Sequence, residues 1–151
     1  MTLKPYQNKN CEEISKLFYE TVHSVNARDY TEEQLFAWAK HEQSLLARRN
    51  DLFKQRTLIA EQNGTIVGFA SVDSSGCLDL LFVHKDFQRR GIATALCDEL
   101  EKGFPVVRTY ASVTAKPFFE RRGYIVTEER EVERSGVKLK NYEMRKQNEV
   151  L

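Results

Sequence analysis

Apolar residues recur every three to four positions in the first part of the chain, which is the period of an amphipathic helix. Ile14, Leu17 and Val22 fall on one face of a helix predicted over residues 11–25, with Asn10 as its N-cap. Thr31, followed by two glutamates, is predicted to open a second helix. Further helices are predicted within 41–55, over 91–102 and over 114–122.

From Thr57 onward the pattern changes to alternating or continuously apolar runs, which are typical of strands. The pairs Asn63-Gly64 and Ser135-Gly136 are turn signals, so each is predicted to close a β-hairpin. Strands are predicted over 57–62, 65–73, 78–83, 105–111, 124–132 and 137–145. Because repeats and low-complexity linkers are absent, we expect a single α/β domain over residues 1–151 with a mostly antiparallel sheet.

Charge and composition narrow the classes of function. Lysine and arginine total 23 against 22 acidic residues, a net charge of +1, so nothing favours nucleic acid or an anionic membrane as a partner. No apolar stretch approaches the roughly 20 residues of a membrane span, and the first residues lack the apolar core of a secretory signal, so we expect a cytoplasmic protein. Cys11, Cys77 and Cys97 form no CxxC pair and are interpreted as reduced, packed thiols.

The stretch DFQRRGIATAL, residues 86–96, connects a predicted buried strand to a predicted helix. Amide N–H groups at a helix N-terminus have no intrahelical partners and lie at the positive end of the helix dipole, so together they can bind an anion. Gly91 would let the backbone approach a ligand, Ala93 would leave space for it, and Arg89 and Arg90 add positive charge. Alternatively, Gly91 only ends a loop and both arginines are solvated.

Two blocks of the sequence carry a family resemblance. VHKDFQRRGIATALCDELE, residues 83–101, resembles the acetyl-CoA-binding motif of the GCN5-related N-acetyltransferase (GNAT) family, with Lys85 at the family's proline position. AKPFFERRGY, residues 115–124, resembles the family's A-x-x-x-Y-x-x-x-G-[FY] motif, and TAKPFFERRGY followed by GVKLKNYEM is similar to an uncharacterised bacterial subgroup. The resemblance, which spans about residues 56–145, implies the GNAT fold, a mixed, mostly antiparallel sheet of roughly six to seven strands flanked by helices.

The resemblance also implies where acetyl-CoA binds. Backbone groups of residues 81–83 are expected to hold the pantetheine arm and the thioester as if they were an added strand, with an oxyanion donor among the amides of Phe82 and Val83. The amides of the corner between strand and helix are expected to hold the pyrophosphate. The expected cofactor-binding residues are Leu81, Phe82, Val83, Gln88, Arg89, Arg90, Gly91, Ile92, Ala93, Thr94, Ser112 and Phe119. The implied chemistry, direct attack by a neutral amine on the thioester, requires no metal.

The groups that would move protons depart from the family's pattern. Phe119 stands where the general-acid tyrosine is expected, and Ser112 stands where an asparagine is common. As replacements we consider Ser112 and Tyr142. Tyr142 is a candidate because the final strand of this fold tends to border the substrate cleft. Alternatively, Tyr142 is a half-buried strand residue with a solvated hydroxyl. A thiol with a pKa of about 8.5 is also a fair leaving group that water can protonate.

For the general base, Asp79 is the first candidate, because it interrupts the apolar run LDLLFV and a polar residue in a buried strand needs a reason. The alternative is that Asp79 faces solvent or pairs with a neighbouring lysine. His23 and Tyr30, together with Asp79, are candidate acceptor-binding residues, whereas Trp38 is interpreted as part of the core. His84 would titrate in a suitable range but is expected to be exposed.

These features predict an enzyme that transfers acetyl from acetyl-CoA to the primary amine of a small molecule or peptide in a ternary complex. The alternative, motivated by Phe119 and Ser112, is a CoA-binding regulatory or partner-binding module with weak or no turnover. A third hypothesis, nucleic-acid binding through the arginine pairs at 89–90 and 121–122, has no support from the net charge. The run EEREVER, residues 128–134, is interpreted as a solvated hairpin face. A homodimer is considered, since family members often pair through helices or sheet edges.

Overall fold

The structure, a computed structural model, describes residues 1–148, which form one seven-stranded sheet with helices on both faces. The strands are Thr2–Pro5 (β1), Arg56–Gln62 (β2), Thr65–Val72 (β3), Cys77–Val83 (β4), Val106–Ser112 (β5), Ile125–Arg134 (β6) and Val137–Gln147 (β7). Their order is β1-β2-β3-β4-β5-β7-β6, and within residues 1–148 β4 and β5 are the one parallel pair of neighbours. The predicted mixed, mostly antiparallel sheet is therefore confirmed. Strand β1 was not predicted, because four residues are too few to show a period.

In the described part of the chain five α-helices pack against this sheet: Cys11–Ser24 (α1), Glu32–Trp38 (α2), Arg49–Lys54 (α3), Ile92–Leu100 (α4) and Lys116–Arg121 (α5). The helix predicted within 41–55 is divided between a 3-10 turn at Ser44–Arg48 and the short α3. In residues 1–148 we find no helix with the length and apolar character needed to cross a membrane.

The ends of the first two helices are built differently. Thr31 caps α2, because its Oγ1 accepts from the amide of Gln34 at 3.2 Å while Gln34 Oε1 accepts from the amide of Thr31 at 2.9 Å. Asn10 precedes α1 as predicted, but its Oδ1 accepts from the amide of Gln7 at 2.8 Å. The predicted side-chain cap of α1 is therefore wrong, since Asn10 closes the preceding 3-10 turn instead.

Both predicted hairpins are present, and their turns have the expected backbone. Asn63 and Gly64 have φ angles of 52° and 78°, and Ser135 and Gly136 have φ angles of 50° and 78°. Two successive residues with positive φ form a type I′ turn, whose twist matches that of paired strands.

Alternation along the strands divides the core into two layers. Ile59 and Phe69 face α1 and α2, and this side of the sheet is called the α1/α2 face. Leu58 and Ala70 face α4 and α5, and this side is called the α4/α5 face. Burying each large apolar side chain contributes about 1.5 to 3 kcal/mol, so both layers hold the sheet in place.

Candidate active site

Strands β4 and β5 run side by side only where they begin. Their parallel pairing is limited to Cys77 with Arg108 and Leu78 with Thr109. Beyond these two pairs the strands diverge, and the space between them belongs to a cavity of about 1050 Å³. A cavity of this size is large enough for a cofactor and a second substrate.

A β-bulge marks the point of divergence. Leu78 and Leu80 of β4 pair with the consecutive residues Val72 and Ser71 of β3, so that Asp79 is an extra residue without a partner across the ladder. A bulge bends its strand and increases the local twist. The bulge at Asp79 therefore turns the rest of β4 away from β5 and opens the gap.

The far end of β4 presents backbone groups to this gap. The amide of His84 donates to the carbonyl of Val67 at 2.8 Å. Because alternate residues of an antiparallel strand bond to the same neighbour, Phe82 bonds to β3, whereas Leu81 and Val83 face the gap. Of the two expected oxyanion donors, the amide of Val83 points into the gap, whereas the amide of Phe82 is bonded to β3.

Gln88 ties the corner after β4 to the strand itself. Its Nε2 donates to the carbonyl of Val83 at 2.7 Å, and Thr21 Oγ1 of α1 donates to the same carbonyl at 3.1 Å. The side chain of Gln88 thus fixes the end of β4. The backbone amide of Gln88 remains free to bind a ligand.

Free amides line the corner from Gln88 to Thr94. The first hydrogen bond of α4 runs from the amide of Ala95 to the carbonyl of Gly91 at 3.0 Å, and within residues 1–148 the seven amides of 88–94 have no acceptor. Gly91 has a φ of 79° and Arg89 a φ of 62°, which curve the backbone into a concave turn at the helix N-terminus. Such a turn binds anions, and glycine adopts its positive φ without strain.

The side chains of this corner do not all face the cavity. Arg89 and Thr94 line it, whereas Arg90 lies outside it with its guanidinium 5.0 Å from the centroid of the Phe87 ring. Ile92 is 2% exposed and packs in the α4/α5 core. The predicted cofactor contact of Arg90 is therefore limited to its backbone amide.

The second motif places an inert ring and a hydroxyl on the cavity wall. Phe119 is 2% exposed, and its ring packs against those of Phe118 and Tyr124 at centroid distances of 5.2 and 5.0 Å. Ser112 Oγ accepts from the amide of Ala115 at 3.0 Å, which leaves the hydroxyl proton free. Both residues line the cavity, but only Ser112 can donate a proton.

Asp79 lines the cavity with one carboxylate oxygen already occupied. Its Oδ2 accepts from Arg48 Nη2 at 2.5 Å and from Gln55 Nε2 at 3.0 Å. The sequence alternative of pairing with a cation is therefore what the structure shows, with arginine in place of lysine. Any role as a base falls to Oδ1.

Tyr30 lines the cavity with its ring, while its hydroxyl joins two strands. The hydroxyl donates to the carbonyl of Lys140 at 2.8 Å and accepts from the amide of Val113 at 2.9 Å. Burial raises the pKa of Tyr30 above its usual value. Trp38, interpreted as core, packs against Tyr30 at a centroid distance of 5.5 Å and also lines the cavity.

The structure does not bring His23 to the cavity. Its Nε2 lies 2.7 Å from the carbonyl oxygen of Ala39, and its ring lies against those of Tyr19 and Phe36. The predicted acceptor contact is replaced by a link between α1 and the end of α2.

Tyr142 also lies outside the cavity, whereas its neighbour Asn141 lines it. Tyr142 pairs with Ala111 and faces α5, where Lys116 Nζ lies 4.8 Å from its ring centroid. Asn141 therefore faces the opposite side, and its buried Oδ1 has no hydrogen-bond partner in residues 1–148. Strand alternation therefore places Tyr142, a predicted catalytic residue, on the face away from the cavity, because a shift of one residue exchanges the two faces.

Strand β6 contributes residues that the sequence interpretation assigned to solvent. Arg130, Val132 and Arg134 line the cavity, while the glutamates between them are exposed on the other face. The interpretation of EEREVER as a solvated face is correct for its glutamates and for Arg134, whereas Arg130 and Val132 are half-buried. The alternation E-R-E-V-E-R in a predicted strand was the signal for two different faces.

Within residues 1–148 no group of His, Cys, Asp or Glu side chains is arranged as a metal site. A bulged strand, the gap beside it and a corner of free amides match the arrangement that the family resemblance implies for an acyl-CoA site. A family model described as acetyltransferase (GNAT) domain matches residues 26–146. The uncharacterised N-acetyltransferase YafP of Escherichia coli K12 is 33% identical over 143 residues, which cover 95% of this chain and 93% of YafP. The chain belongs to the GNAT family and is a GNAT-type N-acetyltransferase.

Solved structures agree with this assignment. The crystal structure of a GCN5-related N-acetyltransferase from Rhodopseudomonas palustris is 35% identical, with a TM-score of 0.89 over 97% of this chain and 95% of that chain. The PaiA N-acetyltransferase of Thermoplasma acidophilum, solved in complex with coenzyme A, has a TM-score of 0.74 over 98% of this chain and 100% of that chain. At 18% identity the second likeness shows the fold alone.

Proposed function

We propose that this chain transfers acetyl from acetyl-CoA to a primary amine by direct attack within a ternary complex. The observation that carries the proposal is the continuous run of free amides at residues 88–94, placed directly after the free end of β4. One site can then hold both ends of a long, doubly phosphorylated thioester.

Each part of acetyl-CoA has a matching part of the cavity. The pyrophosphate accepts from the amides of the corner, with Arg89 adding charge at the cavity wall. The pantetheine arm lies in the gap and pairs with the backbone of Leu81 and Val83 as an added strand. The thioester then reaches the α1/α2 face, where the acceptor binds.

Proton transfer accompanies one bond that forms and one that breaks. The amine nitrogen attacks the thioester carbon, the amide of Leu81 donates to the oxyanion, and the C–S bond then breaks. Leu81 faces the gap two residues from Asp79, whereas Val83 lies at the pyrophosphate end of the arm. The amine proton passes to Asp79 Oδ1, directly or through water, and the departing thiolate takes a proton from Ser112 or from water. Because a CoA thiolate leaves readily, catalysis does not depend on a strong acid at the Phe119 position.

The burial of Phe119 also favours a second function, a CoA-binding module with little turnover. Calorimetry with acetyl-CoA and a thiol-release assay over a panel of amines separate the two functions. Binding with amine-dependent CoA release supports the enzyme, and a slower release in Asp79→Asn supports the base. Binding without any release supports the module, and absence of binding contradicts both.

The chain's own thiols are suited to this assay. Cys11, Cys77 and Cys97 are all buried, and burial raises the pKa of Cys97 to about 12. The folded protein should therefore react slowly with a disulfide reagent, so that the signal measures the CoA thiol.

A further inference from the structure

The cavity wall on the α1/α2 face carries positive charge that the chain does not neutralise. The Arg130 guanidinium lies 4.4 Å from the centroid of the Tyr110 ring. Arg134 donates from Nη1 to the backbone carbonyl of Glu133 at 3.2 Å. The ion pairs found in residues 1–148 include neither arginine, although both line the cavity.

The other cations of this part of the cavity differ, because each has a carboxylate partner. The pairs are Arg28 with Asp29 at 3.2 Å and Arg48 with Asp79 at 2.5 Å. Lys140 reaches the cavity through its backbone, because its side chain lies on the opposite face of β7, where it pairs with Glu129 at 3.0 Å. The next acid on the α1/α2 face of β7, Glu143, pairs with Arg145 at 3.0 Å. Glu128 shares this face of β6 and is found in no ion pair within residues 1–148, but it does not line the cavity. The unpaired charge on the α1/α2 side of the cavity wall therefore belongs to Arg130 and Arg134.

A second polar group on the same face lacks a partner. Ser112, Asn141 and Arg130 are in register across β5, β7 and β6 and form one row of side chains. Asn141 Oδ1 is buried and accepts no hydrogen bond within residues 1–148. Because a buried acceptor without a donor is costly, this row suits a ligand with an N–H group beside an anion.

We propose that the acceptor is a small amine that also carries an anionic group, a carboxylate or a phosphate. Arg130 and Arg134 bind the anion and Asn141 Oδ1 accepts from the amine, an assignment that rests on the proposed acetyl transfer. A guanidinium binds a carboxylate or phosphate through two parallel N–H donors. The same wall repels polyamines and aminoglycoside-like acceptors.

The test compares amines in matched pairs. Amino carboxylates of increasing chain length are each assayed beside their carboxamides, phosphoethanolamine beside ethanolamine, and a polyamine is included. We expect kcat/KM for at least one anionic member to exceed that of its neutral partner by about tenfold or more. The carboxylate and phosphate series show which anion the site accepts.

Substitutions test whether Arg130 and Arg134 cause the preference for anionic amines. In the double variant Arg130→Gln/Arg134→Gln the preference should fall to about twofold or less, mostly through KM, because the anion contact is made equally in the ground and transition states. Lys138→Gln is the matched control, since it removes one positive charge from the same hairpin without touching the cavity. It should retain the preference.

Two results overturn the inference. One is a wild-type enzyme that prefers the neutral or polycationic member of each pair, and the other is a double variant that keeps the anionic preference. The same pairs are titrated calorimetrically against enzyme saturated with CoA, so that charge preference is measured even without turnover. If no CoA is released but the anionic amines still bind more tightly, the proposed acetyl transfer is contradicted and this inference stands. If acetyl is transferred with a preference for neutral amines, this inference is contradicted and the proposed acetyl transfer stands.

Discussion

Two groups of charged side chains lie at opposite ends of α4, and only one of them is balanced. Beyond the C-terminal end, Glu101 is 4% exposed and its carboxylate contacts Arg122 at 2.7 Å, Lys146 at 3.4 Å and the hydroxyl of Tyr124 at 2.6 Å. At the N-terminal end, the cavity holds free amides and arginines without carboxylate partners. The balanced group is part of the folded core, whereas the unbalanced one is the proposed binding site for the anionic cofactor.

The Glu101 group also shows what full desolvation does to a polar cluster. Burial, and then the hydrogen bond to Glu101, raise the pKa of Tyr124 well above its usual range. Tyr124 therefore stays protonated and donates to Glu101 at any pH at which the protein is assayed. The cavity arginines remain open to water, which can be displaced by a ligand.

The largest effect is expected from breaking the balanced group. Glu101→Gln leaves Arg122 and Lys146 near a neutral amide, and removing one partner of a buried ion pair costs about 3 to 5 kcal/mol. Urea unfolding should show this loss, while the affinity for acetyl-CoA in the folded protein stays the same. Lys102→Gln, which breaks the exposed pair with Glu99, is the control and should barely move the unfolding midpoint.

The next effect concerns the free amides. Gly91→Val forces a branched residue into positive φ and turns the amides away from the phosphates, so the Kd for acetyl-CoA should rise by tens of fold, or about 2 kcal/mol. Gly103 also has a positive φ and open space around it, but it lies beyond the other end of α4. Gly103→Val should lose similar stability without weaker binding in calorimetry, and an unchanged Kd in Gly91→Val would refute the pyrophosphate placement.

The smallest effect separates the two adjacent arginines. Arg89→Ala should raise the Kd for acetyl-CoA by about fivefold, roughly 1 kcal/mol, because the side chain is solvated at the cavity wall. Arg90→Ala should leave the Kd unchanged, since that side chain stacks on Phe87 outside the cavity. Calorimetry at two salt concentrations measures the Kd for acetyl-CoA in both variants. Equal losses of affinity in Arg89→Ala and Arg90→Ala would contradict the placement of Arg89 inside the cavity and of Arg90 outside it.

The corner that is proposed to bind the cofactor could be predicted from the sequence, because its signal is local. Gly91 and its neighbours act through backbone amides at one corner between strand and helix, and a short motif specifies that corner completely. The acceptor half depends on contacts between distant segments. The pairing of Asp79 with Arg48 joins residues 31 positions apart. The β-bulge at Asp79 has no sequence motif that would predict it.

Strand register explains the remaining errors. A prediction of a strand over 137–145 does not say which of Asn141 and Tyr142 faces the cavity, and one position decides it. The alternation in EEREVER predicts a strand with two different faces. Which face lines the cavity depends on the pairing of β6 with β7, which the sequence does not show. The strand β1 gave no signal, since Thr2–Pro5 is short and only partly buried at the side of the sheet.

The alternating charges of β6 have a consequence for how copies of this protein meet. As the last strand of the sheet, β6 has backbone N–H and C=O groups on its outer side that could template another strand, yet from Glu128 to Arg134 both of its faces are charged. Such charges discourage strand addition and the aggregation that follows from it. At the opposite border, β1 is four residues long and ends in Pro5. The charged stretch of β6 is therefore a poor template for a sheet continued from one copy of the chain into the next.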